Sequence, residues 1–270
     1  MAGGLRDLRS GGILGGMNNY TPEVMLAEPA VPLDVEHRKV APFKNAVRVQ
    51  ESFLARAEKS TLLWLAARMP LWVNSDHLTL LGLLSLIGAG AAYALARWNR
   101  WWLLGGILFL ALNWFGDSLD GTLARFRNRQ RPRYGFYVDH VVDAVGTFFL
   151  LGGMAMSGIM SAPVAIGLLI AYLLLMIEVC LATYTIGVFQ ISFFKMSPTE
   201  LRIALSVGNL FVLANPTGHL FGRTFLLFDV GGVIGIVGMT FILVVSMVRN
   251  TGKLYVQEQL PKTFAADSRR

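Results

Sequence analysis

The chain has 270 residues, 54% of them hydrophobic and only 15% charged, with a net charge of +7. A globular domain carries about 25% charged residues, and here the apolar excess is gathered into stretches of roughly 17–25 residues, the length that crosses a bilayer. That excludes an ordinary soluble enzyme and predicts an all-α polytopic membrane protein, and the single cysteine, Cys180, excludes an intrachain disulfide framework.

Residues 1–45 are rich in Gly, Pro and charge and are expected to form a mobile cytoplasmic N-terminus. They lack a sustained apolar h-region, so the first span is expected to serve as the insertion signal. Residues 46–73 are read as an interfacial amphipathic helix. Phe53, Leu54, Ala57, Thr61, Leu62, Leu65 and Met69 fall at helical spacing, with Arg56, Lys59 and Arg68 at other positions. A soluble helix packed on the membrane domain is the competing reading.

Six spans are expected within a catalytic membrane domain, 74–250: residues 77–97, 101–126, 135–158, 163–190, 199–217 and 227–249, followed by a cytoplasmic tail, 251–270. Pro163, Pro198 and Pro216 fit helix starts and stops. Six spans put both termini on one side. That side holds Arg6, Arg9, Arg38, Lys39, Lys44, Arg48, Arg56, Lys59 and Arg68, and also Arg125, Arg127, Arg129, Arg131 and Arg133 around the loop between spans two and three. The other side holds only Arg97, Arg100 and Arg223. The positive-inside rule makes the basic side cytoplasmic, as in a bacterial inner membrane or its equivalent.

Span two runs directly into charge. The stretch DSLDGTLARFRNRQRPRYGFYVDHVVDA, 117–144, places Asp117 and Asp120 at i, i+3 on one helix and Asp139 and Asp143 at i, i+4 on the next. A short loop predicts that the two helices are antiparallel neighbours, so four carboxylates would converge at the cytoplasmic ends. Four like charges in a low-dielectric site need compensation. Two divalent cations would supply it, and all-oxygen ligation selects a hard ion such as Mg2+, Mn2+ or Ca2+. Paired metals are the usual clamp for phosphoryl displacement. Gly121, Ala124 and Gly135 leave room beside the carboxylates for a diphosphate, and Arg125 is placed to pair with its phosphates. Helix-end aspartates can be plain caps, but a cap explains one aspartate, not four.

The spacing D-x2-D-G-x2-A-R-x9-G-x3-D-x3-D, spelled by Asp117, Asp120, Gly121, Ala124, Arg125, Gly135, Asp139 and Asp143, resembles the signature of the CDP-alcohol phosphotransferase family. The upstream NSDHLTLLG, 74–82, resembles the approach to that family's first span, and the likeness covers roughly residues 50–215. The resemblance implies that an alcohol attacks the phosphorus distal to cytidine in a CDP-linked donor and that CMP leaves. It implies Asp117, Asp120 and Asp139 as metal ligands, with Asp143 at the second metal or acting as base. Asp117, Asp120, Gly121, Ala124, Arg125 and Gly135 would form the CDP site. Mg2+ or Mn2+ is the expected pair, with Ca2+ expected to inhibit, and a homodimer is expected by analogy.

His140 follows Asp139 in VDHVVDA, which resembles the Asp-His-x-x-Asp variant of the choline and ethanolamine phosphotransferases, where this His is a candidate general base. Neighbours on a helix point about 100° apart, so His140 can equally face another helix or the interface. SPTELR, 197–202, reads as a capping box of Ser197, Pro198 and Glu200. It also partly resembles the Gly-Pro-Thr-Glu segment of the same enzymes, which makes Glu200 and Arg202 candidates to support the site from its mouth. Glu178, in the middle of span four, needs a partner inside the bundle.

The expected function is a membrane transferase of phospholipid synthesis, with CDP-diacylglycerol preferred as donor and CDP-choline or CDP-ethanolamine with a lipid alcohol as the alternative. A metal or proton transporter is the reading from another class. Its weak point is the run FRNRQRPR, 126–133, because an Arg-rich mouth repels cations and attracts a diphosphate. No motif reads nucleic acid bases.

Overall fold

A computed structural model describes residues 55–186, 198–215, 217–220 and 223–258. The expectations for residues 1–45, for the Ser197 cap and for most of the tail lie outside the described residues. The elements in chain order are α1 (Ala55–Arg68), α2 (Ser75–Ala96), α3 (Trp102–Phe126), α4 (Pro132–Ser157), α5 (Ala162–Ile186), α6 (Pro198–Ala214), the strands β1 (Thr217–Leu220) and β2 (Arg223–Leu226), and α7 (Leu227–Gln257).

Among the described residues five helices are long and apolar enough to cross a membrane: α2, α3, α4, α5 and α7. The chain is an integral membrane protein. The sixth expected span, 199–217, corresponds to α6, whose 17 residues measure about 26 Å at 1.5 Å per residue, short of the roughly 30 Å hydrocarbon core. It stops at Ala214 because the chain turns into an antiparallel hairpin, Thr217 opposite Leu226 and Leu220 opposite Arg223. The last helix, α7, follows β2 directly at Leu227. It continues through the predicted boundary at 250 to Gln257, so part of the expected tail is helical.

Exposed tryptophans flank α2 at both ends. Trp72 and Trp98, at opposite ends of α2, are each 74% exposed. The 22 residues of α2 span about 33 Å, and indole rings favour the two interfaces. Trp101 and Trp102 join Trp98 at the end far from the aspartates.

The central helix is α2, with α3 and α4 packed on either side of it. Glycine makes both contacts close. A Cβ on Gly116 would stand 2.6 Å from the Leu78 carbonyl oxygen and 2.7 Å from the Gly82 nitrogen, and one on Gly153 would collide with the backbone of Gly90. Small residues at helix crossings let backbones meet without lipid-exposed gaps. The short loop predicted that α3 and α4 are antiparallel neighbours; each packs chiefly on α2, whose glycines allow the close approach. Their aspartate-bearing ends flank a shared cleft beside α2.

The main core joins Tyr93, Leu103, Leu110, Met154, Ala165, Val212 and Phe228. A second cluster binds α1 to the domain: Leu62 and Ala66 pack with Val73, Leu78, Leu119 and Leu123. The other side of α1 exposes Leu63 and Trp64. Thus one face of α1 is packed on the membrane domain and the other carries exposed apolar side chains. Glu178 of α5 finds its partners on α7: Oε1 accepts from Ser246 Oγ at 2.8 Å and Asn250 Nδ2 at 2.7 Å.

Candidate active site

The four aspartates lie on the two walls of the cleft. Asp117 and Asp120 come from the last turns of α3, and Asp139 and Asp143 from the first turns of α4. All four are half-buried. Asp120 is within electrostatic range of Asp117 on its own helix and of Asp139 across the cleft. Asp143 is within range of Asp117, Asp139 and Asp120, and of Arg202.

Each α3 aspartate is held from another helix. Arg202 of α6 donates from Nη2 to Asp117 Oδ2 at 2.5 Å and from Nε to Asn113 Oδ1 at 2.7 Å. Asn113 in turn donates to the Gly82 carbonyl at 3.0 Å, so a buried amide ties α6 and α3 to α2. Asp120 Oδ2 accepts from Thr79 Oγ1 of α2 at 2.6 Å, and its Oδ1 accepts from the Gly121 N–H. Ser75 Oγ adds a bond to the Asp120 carbonyl at 3.0 Å. Among the described residues no three carboxylate, imidazole or thiol groups are close enough together to enclose a metal ion. Asp117 and Asp120 each point an oxygen at a hydrogen-bond donor on another helix. The donor set itself, four carboxylates in one half-buried cleft, is the chemistry a pair of hard divalent cations requires.

The other expected residues distribute around this cleft. Gly121 is covered by Arg125, whose guanidinium would stand 3.3 Å from a Cβ there and which donates to Thr122 Oγ1 at 3.2 Å. Gly135 is exposed, with open space where a side chain would be. Ala124 borders a cavity of about 430 Å3 that also takes in Asn74, Ser75, Arg127, Arg129 and Arg131, a volume in the range of small-ligand sites. Arg131 closes one edge with an exposed ion pair to Asp76 at 2.6 Å. Arg127 closes another by donating to the carbonyls of Met69, Pro70 and Val73, which pins the α1–α2 turn.

His140 turns back on its own helix. Its Nδ1 lies 2.8 Å from the Phe136 carbonyl and its ring lies 4.1 Å from that of Phe136, centroid to centroid. A carbonyl only accepts, so Nδ1 carries the proton and the Nε2 lone pair is the basic one. Glu200 and Arg202 are both on α6, and Arg202 is the one that bonds to an aspartate.

Sequence reasoning missed four residues here. Thr79 lies within the quoted NSDHLTLLG but was not singled out. Asn113 is an amide inside span two, a signal that polar residues in a membrane are seldom idle. Tyr172 of α5 is hydrogen-bonded to Thr147 and lies in electrostatic range of Asp143, Asp117 and Asp139. Glu58 of α1 accepts bonds from both α3 and α6.

The sequence model of the CDP-alcohol phosphatidyltransferase family matches residues 72–248, from the turn before α2 into the last helix. The chain belongs to that family, and its class is therefore a membrane transferase acting through CDP-alcohol phosphotransfer. A search of curated proteins returned no match.

Proposed function

We propose that the protein transfers a phosphatidyl group from CDP-diacylglycerol to an alcohol, releasing CMP, with the α3–α4 cleft as the active site. The observation that carries this reading is the four-aspartate cleft with an arginine reaching in from α6. The family's own description, a phosphatidyltransferase, favours the lipid-linked donor.

Asp117, Asp120, Asp139 and Asp143 would hold two Mg2+ or Mn2+ ions. When bound, such ions neutralise a diphosphate and polarise its phosphorus–oxygen bonds. The remaining work falls to the protein's own groups. Asp143 takes the proton from the attacking hydroxyl as it approaches the phosphorus distal to cytidine. Arg202 and Arg125 bear on the phosphates by charge-assisted hydrogen bonds. Gly121 and Gly135 leave space for the donor. The Arg-lined cavity beside Ala124 draws in the nucleotide end by its charge. The concentration of Lys and Arg at the aspartate end of the bundle supports a cytoplasmic orientation for that end.

The test is incubation of the purified protein with CDP-diacylglycerol or CDP-choline and a panel of alcohols, with CMP detection and mass analysis of the lipid. CMP release from CDP-diacylglycerol, with a phosphatidyl-alcohol product, is the expected result. Release from CDP-choline alone would reassign the donor. Metal flux into proteoliposomes with no CMP from either donor would replace the transferase by a transporter.

A further inference from the structure

Outside the cleft, one carboxylate joins its own helix to two others. Glu58 lies on α1, whose 14 described residues are fewer than a span needs. Its Oε1 accepts from Trp114 Nε1 at 3.1 Å, from Ser118 Oγ at 3.3 Å and from Thr199 Oγ1 at 2.6 Å. The three donors are neutral, and a carboxylate with only accepting atoms matches all of them. Two come from the α3 turn that carries Asp117. The third comes from the first turn of α6, three residues before Arg202.

We propose that Glu58 is a positioning residue: it latches the first turn of α6 to α3 and so sets where Arg202 meets Asp117. The mechanics are short-range. Thr199 and Arg202 are one helical turn apart, about 4.5 Å along the axis, so a shift of the first turn is delivered to the guanidinium nearly undiminished. An Arg–carboxylate contact depends strongly on geometry, so small displacements register. The α1 anchor is itself fixed, because Leu62 and Ala66 are packed against α3 and α2 and Arg127 holds the turn that follows. The helix outside the span bundle thereby becomes a strap across the mouth of the site.

The functional consequence rests on the transferase reading above, so the experiment carries two readouts. The first needs no activity: spin labels at Lys59 and Leu201, both exposed, in a Cys180→Ser background report the α1–α6 separation in the full-length protein. A single narrow distance is expected, broadened in Glu58→Ala and kept in Glu58→Gln, whose amide oxygen accepts the same bonds. The second readout is kcat/KM for CMP release in a double-mutant cycle. Glu58→Ala is expected to cost about tenfold alone and nothing further in an Arg202→Gln background. Should Glu58→Ala give no folded protein, Thr199→Val removes one donor and is read by the same two measurements. An unchanged distance distribution in the variant overturns the latch, as does a loss that adds in full to that of Arg202→Gln. If the wild type releases no CMP, it is the transferase reading that fails, and the label distances alone decide the latch.

Discussion

Arg202 and Asp117 are joined across α6 and α3 by a bond of 2.5 Å between guanidinium and carboxylate, both largely screened from solvent. A charged pair at this depth is costly unless its remaining atoms are matched. Here Asn113 takes the second guanidinium donor and is itself anchored to α2. Arg202→Lys keeps the charge and loses the forked geometry. It is expected to reduce CMP release by roughly tenfold to a hundredfold, an effect of one or two charge-assisted bonds. Arg202→Gln should also raise the affinity for Mn2+, because Asp117 loses a competing partner. Manganese EPR on the purified protein measures that directly, and an unchanged affinity would count against the competition.

Asp120→Asn and Asp139→Asn test the two walls of the cleft separately. Each is expected to lower transfer by about a thousandfold or more, the scale of losing a group that stabilises transition-state charge, while the protein still inserts and purifies as one species. Chelation with EDTA should abolish activity in the wild type, and added Mg2+ or Mn2+ should restore it. Full activity in either variant, or in excess EDTA, would falsify the carboxylate–metal reading.

The proton acceptor can be assigned by comparing Asp143→Asn with His140→Asn. The Nδ1 of His140 is spent on its own helix, and Asp143 faces the other three aspartates. We expect His140→Asn to stay within about tenfold of wild type and Asp143→Asn to lose about a hundredfold or more, the usual span for a general base. The pH–rate profile gives the check. A rate limited by an acting base falls as pH drops, so that acidic limb should persist in His140→Asn. Its disappearance there would assign the base to the imidazole.

The helix crossing beneath the site is testable by bulk. Gly153→Val puts a side chain into the backbone of Gly90. Overpacking of this kind costs about 1–3 kcal/mol, so a lower thermal midpoint in detergent is expected, along with loss of transfer. Gly135→Ala meets open space and should leave the midpoint unchanged. A drop in transfer for that variant would then report on donor room rather than folding.

Much of this was legible in the chain itself, and for identifiable reasons. Apolar runs of spanning length, with Pro163 marking one start, located four of the long helices to within a few residues, because length and composition suffice for a span. The paired aspartates were legible because i, i+3 and i, i+4 spacing puts side chains on one face. The position of the helices relative to one another was not. Loop length made α3 and α4 neighbours, but it could not say that Gly82 and Gly90 let both pack on α2, because no local signal weighs one packing partner against another. The strand pair β1–β2 was equally hidden, since a short polar interruption such as TGHL, 217–220, looks alike in a loop and in a strand pair; here Thr217 and Leu226 pair. Glu58 was passed over because a lone acid on an amphipathic helix reads as solvated until its three donors are seen.

Gly116 and Asp117 are consecutive, and that adjacency has a mechanical meaning. The residue through which α3 rests on α2 immediately precedes the first aspartate of the cleft. The seam with α2 is therefore a datum surface for the carboxylate: tolerance in the site is inherited from a joint whose spacer is a single hydrogen atom. Widening that joint by one methyl group would retune the distance between the two acidic walls without touching either of them.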